Sequence, residues 1–171
     1  MNIQANGHSA TTKVYIELGK KLGIDIPEMV KRGQASTCML LSAVVEEYFE
    51  DAIKGKLPRL SKTKAKKWFG AYGPINTLEV KIEFAYLLEL ISAEDKHDAN
   101  ILRGVRNKFA HTTARLSFES AEIVDMCTKL STYKKNESAE AAYVLAAIRL
   151  IDHVKTHIKE PSLFDPVERE D

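Results

Sequence analysis

The chain has 171 residues, 44% of them hydrophobic, with 25 basic and 24 acidic side chains and a formal net charge of +1. A chain of this length buries a core without disulfide or metal staples, and its near-neutral balance excludes nucleic-acid recognition by overall charge, leaving that role to a local patch. Cys38 and Cys127 stand far apart in no redox or metal-binding spacing, so they read as buried thiols of a reducing compartment and a cytoplasmic location is expected.

The N-terminus lacks a basic-then-apolar leader, and no apolar run approaches the roughly 20 residues that cross a bilayer, so no membrane contact is expected. Val14, Leu18 and Leu22 predict a short first helix, with Thr11 or Thr12 as its cap and Gly23 as its stop. Gly33 marks off this N-terminal helical segment, residues 1–33, from a bundle domain over 34–159. A long helix then runs from about Gln34 to Lys56, because Met39, Leu40, Ala43, Val44, Phe49, Ala52 and Ile53 recur at three and four. Gly55 and Pro58 end it, and Ser61 caps a short basic helix that closes at Gly70.

The stretch "GAYGPIN" is a structured turn, since Gly70, Gly73 and Pro74 do not fit inside one helix. A reversal this tight predicts positive φ at Gly70 or Gly73. Thr77 caps a helix carrying Leu78, Ile82, Ala85, Tyr86, Leu88 and Leu90. Ser92, with Asp95 three residues on, opens the next as a capping-box variant, and that helix reaches "RNKFAH". Helices over about Ser120–Leu130 and Ser138–Ile158 follow, and residues 160–171 form a flexible acidic tail. No strand pattern interrupts the series. The predicted fold is all-α, an antiparallel helical bundle with neighbours joined by short loops.

Within "GVRNKFAH", Arg106, Asn107 and His111 are residue types suited to cutting a phosphodiester. Histidine near its ordinary pKa accepts a proton from a ribose 2′-hydroxyl. Arginine holds the phosphate with two parallel hydrogen bonds and stabilises the developing charge. Asparagine orients either partner, and no metal or other cofactor is required. On a regular helix, positions five apart point about 140° away from each other. Convergence of Arg106 and His111 therefore needs either an unwound turn before His111 or two motifs facing across a dimer axis. The alternative is architectural: Arg106 pairs with a carboxylate on a neighbouring helix, Asn107 bonds backbone at a helix end, and His111 caps the C-terminus. Phe109 and Ala110 are core in both cases.

Two further clusters carry charge. Lys54, Lys56, Arg59, Lys62, Lys64, Lys66 and Lys67 lie in one stretch without an acid, and Trp68, Phe69 and Tyr72 follow at once. Lys62, Lys64, Lys66 and Lys67 are the candidates for contacting nucleic acid, with the aromatics stacking bases. Alternatively this is a solvated basic helix anchored to the bundle by Trp68 and Phe69. Glu46, Glu47, Glu50 and Asp51 crowd the long helix, with like charges four apart that need a basic neighbour. Arg103 and Arg106 are the expected partners, with Glu46 or Glu47 positioning Arg106. A metal site is not expected there. His153 and His157 are four apart without a third ligand and read as an exposed helix end.

"FGAYGPINTLEVKIEFAYLLELIS" and "LRGVRNKFAHTTARLSFESAEIVDMC" together resemble the MltR family, the mannitol operon repressor-like proteins. The resemblance spans about Ala35 to Leu130 and is most specific over Phe69–His111. The R-N-x-x-x-H arrangement also looks like the motif of the wider HEPN superfamily, helical bundles that are often dimeric and include metal-independent ribonucleases. The positions that match are Arg106, Asn107 and His111. The resemblance implies a homodimer and leaves two function classes open. One is a regulatory or interaction protein, a transcriptional regulator without its own helix-turn-helix that works through a protein partner. The other is an endoribonuclease acting on RNA.

Overall fold

The computed structural model describes residues 26–111 and 116–158, with side chains from Gly33 onward. The helix expected at Val14–Leu22 and the tail over 160–171 lie outside the described residues. Six helices and no strand occur among the described residues: α1 (Ile26–Lys56), α2 (Lys62–Phe69), α3 (Leu78–Leu87), α4 (Ala93–His111), α5 (Ala121–Cys127) and α6 (Ala139–Lys155). None is long and apolar enough to cross a membrane.

Local capping chemistry sets most helix starts. The hydroxyls of Ser61, Thr77 and Ser138 accept from the backbone N–H of Lys64, Val80 and Ala141. At α4 the box is reciprocal: Asp95 N–H donates to Ser92 Oγ at 3.1 Å, and Ser92 N–H donates to Asp95 Oδ2 at 3.0 Å. Each such bond satisfies an N–H that the first helical turn would otherwise leave open.

Three local expectations need correction. Gly33 does not separate two helices, because α1 runs through it from Ile26. One glycine costs about 1 kcal/mol in a helix, which the packing of a 31-residue element overrides. α3 stops at Leu87, short of Leu90. Glu89 takes φ 54° there, while Leu90 N–H reaches Ala85 O and Glu89 N–H reaches Tyr86 O. That is a Schellman closure with Glu in the position glycine usually fills, so the sequence carries no stop signal.

Neither Gly70 nor Gly73 lies in the left-handed region that positive φ in a turn implies. Both are needed for another reason: a Cβ on Gly73 would collide with the carbonyl oxygens of Trp68 and Lys67, and one on Gly70 with that of Lys66. The turn is a close approach of backbone to backbone.

Side-chain pairs give the helix directions. Gln34 meets Glu140, Ser42 meets Tyr143 and Lys155 sits over the Tyr48 ring, so α1 and α6 run parallel. Arg149 meets Asp98 and His153 meets Asp95, so α4 runs against α6. α3 is likewise antiparallel to α4, through Glu79–Arg103 and Glu83–Lys96. The bundle is therefore mixed, not wholly antiparallel. Short loops impose reversal only on helices adjacent in sequence, and α1 and α6 are not.

Between α1, α4 and α6 lies the core of Phe49, Ile53, Leu102, Val105, Tyr143 and Leu150. Tyr143 is fully buried, and its hydroxyl is paired with Ser42 Oγ at 2.7 Å and with Cys38 O at 3.3 Å. Burial raises its pKa, so it stays neutral. Phe109, Phe118 and Tyr143 form a chain of tilted rings with centroids 5.3 and 5.4 Å apart. Phe109 is thus half-buried as expected of a core residue, whereas Ala110 faces solvent. Both cysteines are free and buried. Burial first, then the nearby Cys38, pushes the Cys127 thiol up to about 12, which leaves little thiolate at neutral pH.

Candidate functional site

α4 carries the Arg106–His111 block because its buried face is filled by Asp95, Asp98, Ala99, Leu102 and Val105 at helical spacing. Arg106 and Asn107 then fall on its flank, both half-buried, and His111 lies exposed at its last residue. Arg106 Nη1 donates to Asn107 Oδ1 at 3.0 Å. The helix stays regular through His111, so no unwound turn swings His111 round to Arg106.

Two separate hollows result. One of about 440 Å3 is lined by Glu46, Asn76, Thr77, Leu78, Glu79, Arg103, Arg106 and Asn107. The other, about 400 Å3, is lined by Gly104, Asn107, Lys108, His111 and Glu122. Asn107 reaches both, while Arg106 and His111 share neither. Within one chain the arginine that would hold a phosphate and the histidine that would move its proton serve different surfaces.

The supporting acids also find other partners than expected. Glu46 Oε1 and Glu50 Oε2 each lie 2.8 Å from Lys81 Nζ, and Lys54 holds Glu50 at 2.6 Å. Arg103 Nη1 is 2.6 Å from Glu79 Oε2, and Glu47 is exposed. Glu46 and Glu50 are thus relieved by Lys81 of α3, not by Arg103 and Arg106. Lys81 is 4% exposed. Burial pulls its pKa down, but Glu46 and Glu50 outweigh that and raise it, and burial of Glu50 is likewise outweighed by Lys54 and Lys81.

A second polar cluster was not foreseen from sequence. Asp98 is wholly buried and accepts from Ser131 N–H at 3.1 Å, Ser131 Oγ at 2.6 Å and Arg149 Nη2 at 3.0 Å. Arg149 also meets Asp95 and Glu94, and donates to Ser131 Oγ. His153 is exposed in the last turn of α6, as expected, and it has a partner there: its Nδ1 lies 3.1 Å from Asp95, and an ionised carboxylate opposite makes that nitrogen the proton donor. The available signal was Asp95 and Asp98 on the same helical face as Ala99, Leu102 and Val105, since acids on an apolar face need a buried partner. Beside the cluster lies a hollow of about 650 Å3 lined in part by Tyr86, Glu89, Asp95, His153 and His157. Among the described residues no three His, Cys, Asp or Glu side chains stand in a metal-holding arrangement.

Burial alone would raise the pKa of Asp95, but hydrogen bonds from Ser92 and then the contact with His153 outweigh it and hold the carboxyl below the usual aspartate value. A depressed carboxylate stabilises the fold above its unfolded pKa, and that contribution is lost as pH falls through the folded pKa. The melting temperature should therefore drop as pH goes below about 4. In Asp95→Asn the drop should be shallower, from a lower plateau at neutral pH. Parallel acid limbs for the two proteins, followed by thermal melts across pH, would remove Asp95 from the acid transition.

On α2, Lys62, Lys64, Lys66 and Lys67 are all exposed. Phe69 is buried, with Lys54 Nζ 5.3 Å from its ring centroid. Trp68 is 38% exposed and Tyr72 is fully exposed. Of the three aromatics only Phe69 is buried. Lys64 of α2 and Arg106 of α4 line separate hollows. Compared with protein-family models, curated proteins and solved structures, the chain matches none.

Proposed function

We propose that this chain is a regulatory or interaction protein of the MltR type, a cytoplasmic homodimer with a HEPN-like bundle that acts on transcription through a protein partner. In this reading Arg106, Asn107 and His111 shape the surface of α4 and do not cut RNA. The observation that carries it is the separation of Arg106 and His111 into two hollows on an unbroken helix. General-base catalysis needs the base within hydrogen-bond reach of the proton it takes while the anion is held in place. One chain does not offer that pairing.

The test is RNA cleavage by purified protein in chelator, with His111→Ala beside it and melting temperature recorded for both. The expected result is no cleavage by either. Cleavage by the wild type that vanishes in a fully folded His111→Ala variant would replace this reading with a metal-independent endoribonuclease. That second reading is favoured by one observation: Asn107 lines both hollows and His111 is exposed, so two chains facing across a two-fold axis would pair Arg106 of each with His111 of the other. Light scattering should give twice the 19.2 kDa chain mass. A mass of one chain at every concentration would remove the homodimer and the second reading with it.

A further inference from the structure

Of the eight residues of α2 only Phe69 is buried, with Ala65 half-buried and Trp68 38% exposed. Both ends are nevertheless tied down: Ser61 caps the start, Gly70 N–H returns to Lys66 O at 3.1 Å, and Ile75 N–H bonds Trp68 O at 2.9 Å. A helix that buries one side chain of eight leaves most of its surface free to meet a partner.

That surface combines cations with an apolar hollow. Arg59, Lys64, Lys66 and Lys67 are exposed, and no acid lies between Lys54 and Lys67 in the chain. Among them opens a hollow of about 330 Å3 lined by Leu57, Pro58, Arg59, Leu60, Lys64 and Trp68. Trp68 is the only tryptophan, and the fully exposed Tyr72 follows on the turn packed against its carbonyl.

We propose that this face binds a single-stranded polynucleotide, one base stacking on Trp68 over the apolar hollow while Arg59, Lys64 and Lys67 meet the flanking phosphates. Charge complementarity selects a polyanion, and the hollow selects one that offers a flat apolar face between its charges. A duplex offers the phosphates but keeps its bases stacked inside, which would leave the hollow empty. This site is separate from the α4 hollows and goes beyond the regulatory reading: it stands whether or not the α4 motif is catalytic.

Trp68 is also the probe. Titrating the full chain with short oligo(U) and oligo(dT) should quench its fluorescence to saturation, with an affinity that falls as salt rises. With a labelled oligonucleotide, Trp68→Ala should weaken binding about tenfold, and Trp68→Phe should restore most of it. Lys64→Glu combined with Lys67→Glu should weaken binding and reduce the slope of log affinity against log salt by roughly 1.4. Unchanged affinity in Trp68→Ala would overturn the proposal. So would heparin, a polyanion without bases, or duplex DNA quenching Trp68 and binding as tightly as the single strands, or no binding of either oligonucleotide at low salt.

Discussion

Asp98→Ala should lower stability by about 3 kcal/mol, the lower end of what breaking a buried ion pair costs. The side chain is wholly buried, and its removal takes the acceptor from Ser131 N–H and Ser131 Oγ and leaves Arg149 Nη2 with Asp95 alone. The lower end applies because the Arg149 side chain is 25% exposed and keeps Glu94 and Asp95 as partners. At roughly 2–4 °C per kcal/mol for a chain of this size, the melting temperature should fall by about 6–12 °C. Asp98→Asn keeps the shape and one acceptor and should cost less. Arg149→Met should be at least as damaging as Asp98→Ala, since it leaves Asp95 and Asp98 facing each other without their cation. Urea and thermal melts of the three variants measure this order directly. An Asp98→Ala protein that melts like the wild type would mean the cluster contributes nothing to holding α6 against α4.

Gly73→Val and Gly33→Ala should move stability in opposite directions. At Gly73 the new Cβ meets the carbonyls of Trp68 and Lys67, and backbone cannot step aside as the tip of a side chain can. Overpacking of this kind costs about 2–3 kcal/mol. It should also loosen the end of α2 and shift Trp68 emission to longer wavelength. At Gly33 no described atom lies within 4 Å of the Cβ position, and the residue sits inside α1. Alanine there should stabilise the helix by up to about 1 kcal/mol. Equal melting temperatures for Gly73→Val and wild type would show that the 70–75 turn relaxes freely.

The local features of this bundle were legible in the residues. Ser61, Thr77, Ser92 and Ser138 announce helix starts because a cap bonds an N–H two or three positions on, a relation that sequence spacing encodes completely. Apolar residues at three and four likewise marked which segments are helical, and the two cysteines read correctly as buried thiols. The end of α3 escaped because Glu89 fills a position that glycine normally advertises.

Everything that joins distant segments was decided by the tertiary structure. The sequence placed acids on α1 in need of a cation, but which distant cation arrives depends on how α3 lies across α1, and it brings Lys81 to 2.8 Å from Glu46 and Glu50. It placed Arg106 five residues before His111, but only the unbroken turn at the end of α4 turns them onto separate hollows. It offered one tryptophan as anchor or platform, and the packing buried Phe69 and left Trp68 at the surface. Chain direction, caps and helical period act over a few residues and are written in their order. Helix crossings, side-chain reach and burial depend on where other segments come to rest, and those positions follow from the packing of the whole core.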